Sequence, residues 1–129
     1  MATALDKAHK KNYVHGNIKS SNFLIRRGKD EEGVESVTPI LSDFGLAYIY
    51  NEDYFSGDRF PGIFPYMAPE RMESLLTGEE EEENFSASAD VYSLGVVLAE
   101  TLSGTLPFQE ANTMDSLRTA KQDTRFVLL

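Results

Sequence analysis

The sequence has no cysteine, no tryptophan and only two histidines, and its 12 lysines and arginines are outnumbered by 21 aspartates and glutamates. Without cysteine there is no disulfide framework and no thiolate metal site, a composition compatible with the cytosol. Two histidines leave little for a metal cluster. A formal charge of -9 and a pI near 4.6 exclude a protein that coats nucleic-acid phosphates, because that task needs a basic face. The excess acid favours solubility and names no partner. No apolar run is long enough to cross a bilayer. Residues 1–12 are polar and lysine-bearing, unlike a secretory signal with its basic end and apolar core. What remains is ordinary: 129 residues, 41% hydrophobic and 26% charged, suit one globular unit.

Residues 3–12 place Ala4, Leu5 and Ala8 on one helical face and Lys7, Lys10 and Lys11 on the other, which predicts a short helix. Asn12 suits its left-handed end, before an extended Tyr13-Val14 pair. Residues 23–25 read as a short buried strand and residues 39–41 as its partner. The polar stretch 26–38 joins them, with a solvated charged tip at 29–35. This hairpin brings Asn22 and Asp43 to one end, two oxygen ligands of the kind magnesium favours. Residues 46–67 have little periodicity and many aromatics, glycines and prolines, as in a long surface segment. Residues 72–76 finish a short helix, and the five glutamates 79–83 repel one another in a solvated linker.

Ser86 or Ser88 then caps the strongest helix, residues 89–103, which ends at Gly104 with Pro107 just beyond. Val91, Leu94, Val96, Val97, Leu98 and Leu102 cover more than one stripe of it, placing this helix at the centre of a domain. Residues 113–129 predict one more helix through Met114, Leu117 and Ala120, with an apolar end at 126–129. No internal repeat is visible.

Four motifs follow one another along this framework: residues 15–22 (His-Gly-Asn-Ile-Lys-Ser-Ser-Asn), Asp43-Phe44-Gly45, Met67-Ala68-Pro69-Glu70 and Asp90-Val91-Tyr92-Ser93-Leu94-Gly95. In this order they resemble the catalytic loop, metal-binding loop, activation-segment end and central helix of protein kinases. The resemblance implies an α+β, mainly α fold: an incomplete large (C-terminal) lobe over residues 4–108, whose small β-hairpin carries the catalytic-loop and Asp-Phe-Gly region. Residues 109–129 are left without a counterpart. Lys19 follows the serine/threonine pattern. The 15–22 stretch is also similar to kinase-homology regions of some plant receptor-like kinases and receptor guanylyl cyclases.

By this resemblance ATP and Mg2+ are the cofactors. Lys19, Asn22, Leu24 and Asp43 face the nucleotide, and Asn22 and Asp43 the metal. Asn17 and Lys19 stand at the catalytic positions. His15 packs structurally and joins Phe44 in the regulatory stack, while Val97 and Thr101 lie beneath the adenine. Gly45, Glu70 and Asp90 are structural: Asp90 holds the catalytic-loop backbone, and Glu70 pairs with a distant arginine whose usual home is not in this chain. Localisation is expected to be cytoplasmic, or on the intracellular side if the parent is a receptor.

Three positions depart from the family pattern. Asn17 replaces the acid that accepts the substrate hydroxyl's proton, Gly16 replaces an arginine, and Ile63 replaces the threonine that braces the catalytic acid and lysine. A neutral amide holds a hydroxyl but takes no proton at pH 7, and general-base help is worth about 10²- to 10⁴-fold. Phosphoryl transfer through a loose transition state relies more on positioning and charge neutralisation, so the change at Asn17 alone leaves residual turnover. No glycine-rich phosphate cover, strand lysine or partnering glutamate is encoded. Tyr48, Tyr50, Tyr54 and Ser56 are modifiable, but Gly16 removes the usual phosphate reader. The leading expectation is a pseudokinase-like large-lobe fragment acting through protein binding, or through weak nucleotide binding, with a protein partner or the small lobe completing it. The alternatives are a serine/threonine kinase in a longer protein and a fragment that exposes apolar surface without folding stably.

Overall fold

Helix α1 (Ala2–His9) buries only Leu5, the one large apolar side chain in its sequence. Its last turn is closed by the Lys11 and Tyr13 amides, both donating to the Ala8 carbonyl at 2.9 and 3.0 Å. Asn12 sits in the left-handed region at φ 59°, where its short polar side chain is better tolerated than most. The computed structural model describes residues 2–44, 62–78 and 86–123. Gly45, the modifiable Tyr48, Tyr50, Tyr54 and Ser56, the 79–83 glutamate run and the apolar 126–129 end all lie outside the described residues.

A 3-10 turn (Ser20–Asn22) leads into strand β1 (Phe23–Lys29), which pairs antiparallel with β2 (Glu35–Leu41), in register from Phe23 opposite Leu41 to Lys29 opposite Glu35. The hairpin is longer than residues 23–25 and 39–41. Its turn chemistry explains why: Asp30 Oδ1 accepts from the Glu32 and Val34 amides at 3.0 and 2.8 Å, and Gly33 takes φ 80°. That compact turn lets the ladder run outward to residue 29 without needing burial. The strands are also not buried as expected. Leu24 and Ile25 are each 56% exposed, because no described element lies over them. Pro39 is accommodated because each strand of this two-stranded ribbon has a free edge.

Helix α2 (Pro69–Thr77) opens with proline in its first turn and closes at Gly78 with φ 69°. Helix α3 (Ala87–Ser103) is capped by Ser86, whose Oγ accepts from the Ala89 amide at 3.3 Å, and it ends at the left-handed Gly104. Helix α4 (Met114–Gln122) starts with a reciprocal capping box between Thr113 and Ser116. Among the described residues four helices and one hairpin give an α+β, mainly α arrangement.

Two apolar clusters hold these elements together. One gathers Leu5, Ile18, Tyr66, Val96 and Val97, joining α1, the 15–22 loop and α3. The other gathers Ile63, Phe64, Met67, Met72 and Leu117, joining the 62–67 turn, α2 and α4. The apolar circumference of α3 is therefore covered on one side only. Val96 and Val97 are buried, whereas Val91, Leu98 and Leu102 are exposed, Leu102 to 85%.

Candidate functional site

Asp90, in the first turn of α3, is 2% exposed and gathers three donors. Its Oδ2 accepts from the His15 amide at 2.7 Å and from His9 Nε2 at 2.8 Å, and its Oδ1 accepts from the Gly16 amide at 2.8 Å. A buried carboxylate is tolerable only with such compensation, and the helix N-terminus adds a favourable field. Gly16 takes φ 73°, a conformation that glycine adopts without the roughly 1 kcal/mol penalty of a residue bearing a Cβ.

His15 is fully buried and wired at both nitrogens. Nδ1 accepts from the Asn17 amide at 3.1 Å, so Nε2 carries the proton and donates to the Ser42 carbonyl at 2.8 Å. The ring meets Phe44 edge to face, with centroids 4.5 Å apart. The ring thus joins the loop to the segment after β2, and both its nitrogens are occupied.

Asn17 is 2% exposed, and its carbonyl accepts from Asn22 Nδ2 at 2.8 Å. Its side-chain Oδ1 is buried without a hydrogen-bond partner. Asn22, also buried, receives the Ser42 amide and hydroxyl on its own carbonyl at 2.8 and 3.0 Å. With Nδ2 committed to Asn17, its Oδ1 is the atom left to serve a ligand. Asp43 is exposed at φ 65°, with Oδ2 near the Ser42 hydroxyl at 3.3 Å. Lys19 is half-buried at the start of the 3-10 turn, and its ammonium meets no partner among the described residues.

The geometry thus brings His15, Asn17, Asn22, Asp43, Phe44 and Asp90 into one neighbourhood, bound by the links through Ser42. Leu24 lies just beyond on β1, exposed. Thr101 is exposed and returns its hydroxyl to the Val97 carbonyl at 2.7 Å. Glu70 stands apart on α2, exposed and without an ion pair among the described residues. Ile63 is packed into the second apolar cluster.

The oxygens that Asp43 and Asn22 offer, a carboxylate and an amide carbonyl, are hard donors of the kind magnesium takes, whereas Asn17 Oδ1 is buried out of reach. Among the described residues no group of three or more His, Cys, Asp or Glu could hold a metal by itself.

Three contributors escaped sequence reading. His9 reaches Asp90 across 81 residues. The Tyr66 hydroxyl donates to Glu100 Oε2 at 2.8 Å and meets the Ser20 hydroxyl at 2.9 Å, tying the loop to α3. Burial raises the Tyr66 pKa, with Ser20 opposing and Glu100 adding to the rise. Lys121, on α4, is buried against the 62–67 turn. Only Tyr66 had a local signal, its place beside the Met67 to Glu70 motif.

The loop, the segment after β2 and the central helix define a protein kinase domain, and the protein kinase domain family model matches residues 1–128. The chain belongs to that family, and its relatives are of the serine/threonine type. It is 41% identical over 93 residues to a G-type lectin S-receptor-like serine/threonine-protein kinase of Arabidopsis thaliana, covering 70% of this chain and 9% of that protein. It is 31% identical over 120 residues to the RAF proto-oncogene serine/threonine-protein kinase of Xenopus laevis, covering 90% of this chain and 16% of that protein. The chain therefore spans less than a fifth of the length of these relatives. No described helix is long and apolar enough to cross a membrane.

Proposed function

We propose that this chain is a catalytically impaired portion of a serine/threonine-kinase large lobe, with residues 4–108 as its kinase-like unit, working mainly through protein binding. The observation that carries the proposal is Asn17. A neutral amide occupies the position of the proton acceptor, and its surroundings are already committed: the amide N–H to His15, the carbonyl to Asn22. Asn17 can orient a hydroxyl, but no proton leaves with it at neutral pH. Ile63 adds to this, since its side chain belongs to an apolar cluster and braces neither Asn17 nor Lys19.

Nucleotide contact is weak in this reading. Asp43 and Asn22 Oδ1 would hold magnesium, which when bound neutralises phosphate charge. Lys19 supplies an ammonium for a phosphate oxygen, and the exposed Leu24 gives adenine one apolar wall. On the opposite face of the hairpin, Ile25 and Val37 are both exposed and leave apolar surface for a protein partner or the small lobe. Localisation is cytoplasmic, on the intracellular side for a receptor parent.

A second reading, a serine/threonine kinase working within a longer protein, is favoured by Lys19, whose ammonium has no partner among the described residues. Thermal melting separates the two. Millimolar magnesium and ATP should move the midpoint of this chain by less than about 1 °C, as expected when ligand concentration stays well below Kd. A rise of several degrees overturns the weak-binding reading.

A further inference from the structure

We propose that Lys121 is the positioning residue of the 62–67 turn: its buried ammonium, carried by α4, ties the Phe64 and Met67 carbonyls together so that helix and turn move as one unit. Nζ donates to the Phe64 carbonyl at 2.6 Å and to the Met67 carbonyl, and it lies 5.4 Å from the centre of the Tyr92 ring and 5.8 Å from that of Phe108. A lysine on an amphipathic surface helix ordinarily extends its head to water. Here the residue is only 9% exposed and the head points inward. Burying an ammonium is costly, and two carbonyls with two aromatic faces offset part of that cost.

The rest of α4 supports the same attachment. Leu117, four residues earlier on the same face, is fully buried against Ile63, Phe64, Met67 and Met72. Arg118 Nε reaches Glu73 Oε2 on α2 at 3.0 Å. Leu117 grips the turn's side chains, and Lys121 grips its backbone. Ala68, which caps α2, offers no side-chain hydrogen bond, so the lysine supplies polar anchoring at this end of the helix. Its meaning for a kinase rests on reading residues 62–70 as the end of an activation segment; the attachment itself does not.

Among the described residues the titratable groups that act on the ammonium or lie against it are Glu70 from α2 and Tyr92 from α3. Burial pushes Lys121 down from 10.5 to about 7, and Glu70 opposes that shift. Tyr92, raised to about 12 by burial and then by Glu70, stays protonated through this range. Because the folded-state value is depressed, the unfolded chain binds more protons between about 7 and 10.5. The stabilisation is therefore fully present above 10.5 and is lost as pH falls toward 7. A neutral amine still has donors for both carbonyls, so the attachment strengthens as its burial cost disappears.

The test combines lysine Cε NMR titration of the whole chain with hydrogen exchange of peptides covering residues 62–68, α3 amides serving as the internal reference. One lysine resonance should titrate near neutrality, separate from the others, and it should vanish in Lys121→Met. That variant should exchange roughly ten- to a hundredfold faster at 62–68 at pH 7 and lose the pH dependence, the loss expected for hydrogen bonds to a charged group. Lys121→Arg should restore protection at pH 7. All lysines titrating together in the wild type, or unchanged 62–68 exchange in the methionine variant, overturns the proposal. The wild-type titration decides even if Lys121→Met fails to fold. Neither measurement uses nucleotide, so this result and the ATP response succeed or fail separately.

Discussion

The 15–22 loop and the hairpin that follows it are neighbours in sequence with inverted environments. The loop is polar and buried: His15, Asn17, Asn22 and its anchor Asp90 are each at most 5% exposed. The hairpin is rich in apolar residues and open, with Leu24, Ile25, Val34 and Val37 all more than half exposed. One region is held by hydrogen bonds from within the chain, Asn17 Oδ1 excepted, and the other presents surface that nothing described covers. The loop is thus held by bonds from α3 and the segment after β2, whereas the outer hairpin residues have no cover among the described residues.

The hardest way to break that contrast is Asp90→Ala. It strands the His15 and Gly16 amides and His9 Nε2 in a buried site, and losing one side of such an arrangement costs about 3–5 kcal/mol. Chemical denaturation should show the chain near or below its folding threshold. A loss under about 1 kcal/mol means the loop is held by something else. Asp90→Asn, which keeps one acceptor, should lie between.

Asn17→Asp probes the same region more gently. A carboxylate at this 2% exposed position loses solvation, so its pKa should rise and the fold should lose about 1–3 kcal/mol at pH 7. A raised carboxyl pKa makes the folded state the better proton binder, so the penalty should shrink as pH falls through that value. On the proposed reading this variant should not phosphorylate a peptide, and robust labelling would overturn that reading.

His9→Ala comes next, at roughly 1–2 kcal/mol, since it removes one donor from Asp90 and leaves two. It is also the residue that shows where sequence reading stops. Asn12, Gly78 and Gly104 adopt left-handed conformations, and Ser86 caps α3, because these signals reside in one or two residues. Asn12, Ser86 and Gly104 were legible for that reason. The hairpin register that brings Asn22 and Asp43 to one end is legible too, though the Ser42 bonds to Asn22 are not. The His9 contact with Asp90, the Tyr66 link to Ser20 and Glu100, and the inward turn of Lys121 are different. Each joins distant segments, and Lys121 meets backbone carbonyls that every sequence possesses, so no periodicity announces them. The exposed half of α3 was misjudged for a related reason: an apolar circumference records what a helix is able to bury, whereas exposure depends on which neighbours are present.

The smallest expected effect belongs to the hairpin. Ile25→Glu and Val37→Glu replace side chains that are 56% and 62% exposed, on strands with no described cover. Each should change stability by less than about 0.5 kcal/mol, the usual range for surface sites. Phe23, half-buried against the first apolar cluster, provides the contrast: Phe23→Ala should cost noticeably more than either glutamate. A loss above about 1 kcal/mol for Ile25→Glu in the isolated chain means that this face is covered, by a second copy or by a segment outside the described residues. Repeating the denaturation over a hundredfold concentration range separates those cases, because only association makes the midpoint depend on protein concentration. If both glutamates are silent alone but weaken binding of a protein partner, the open hairpin is the interface for which the buried loop is the support.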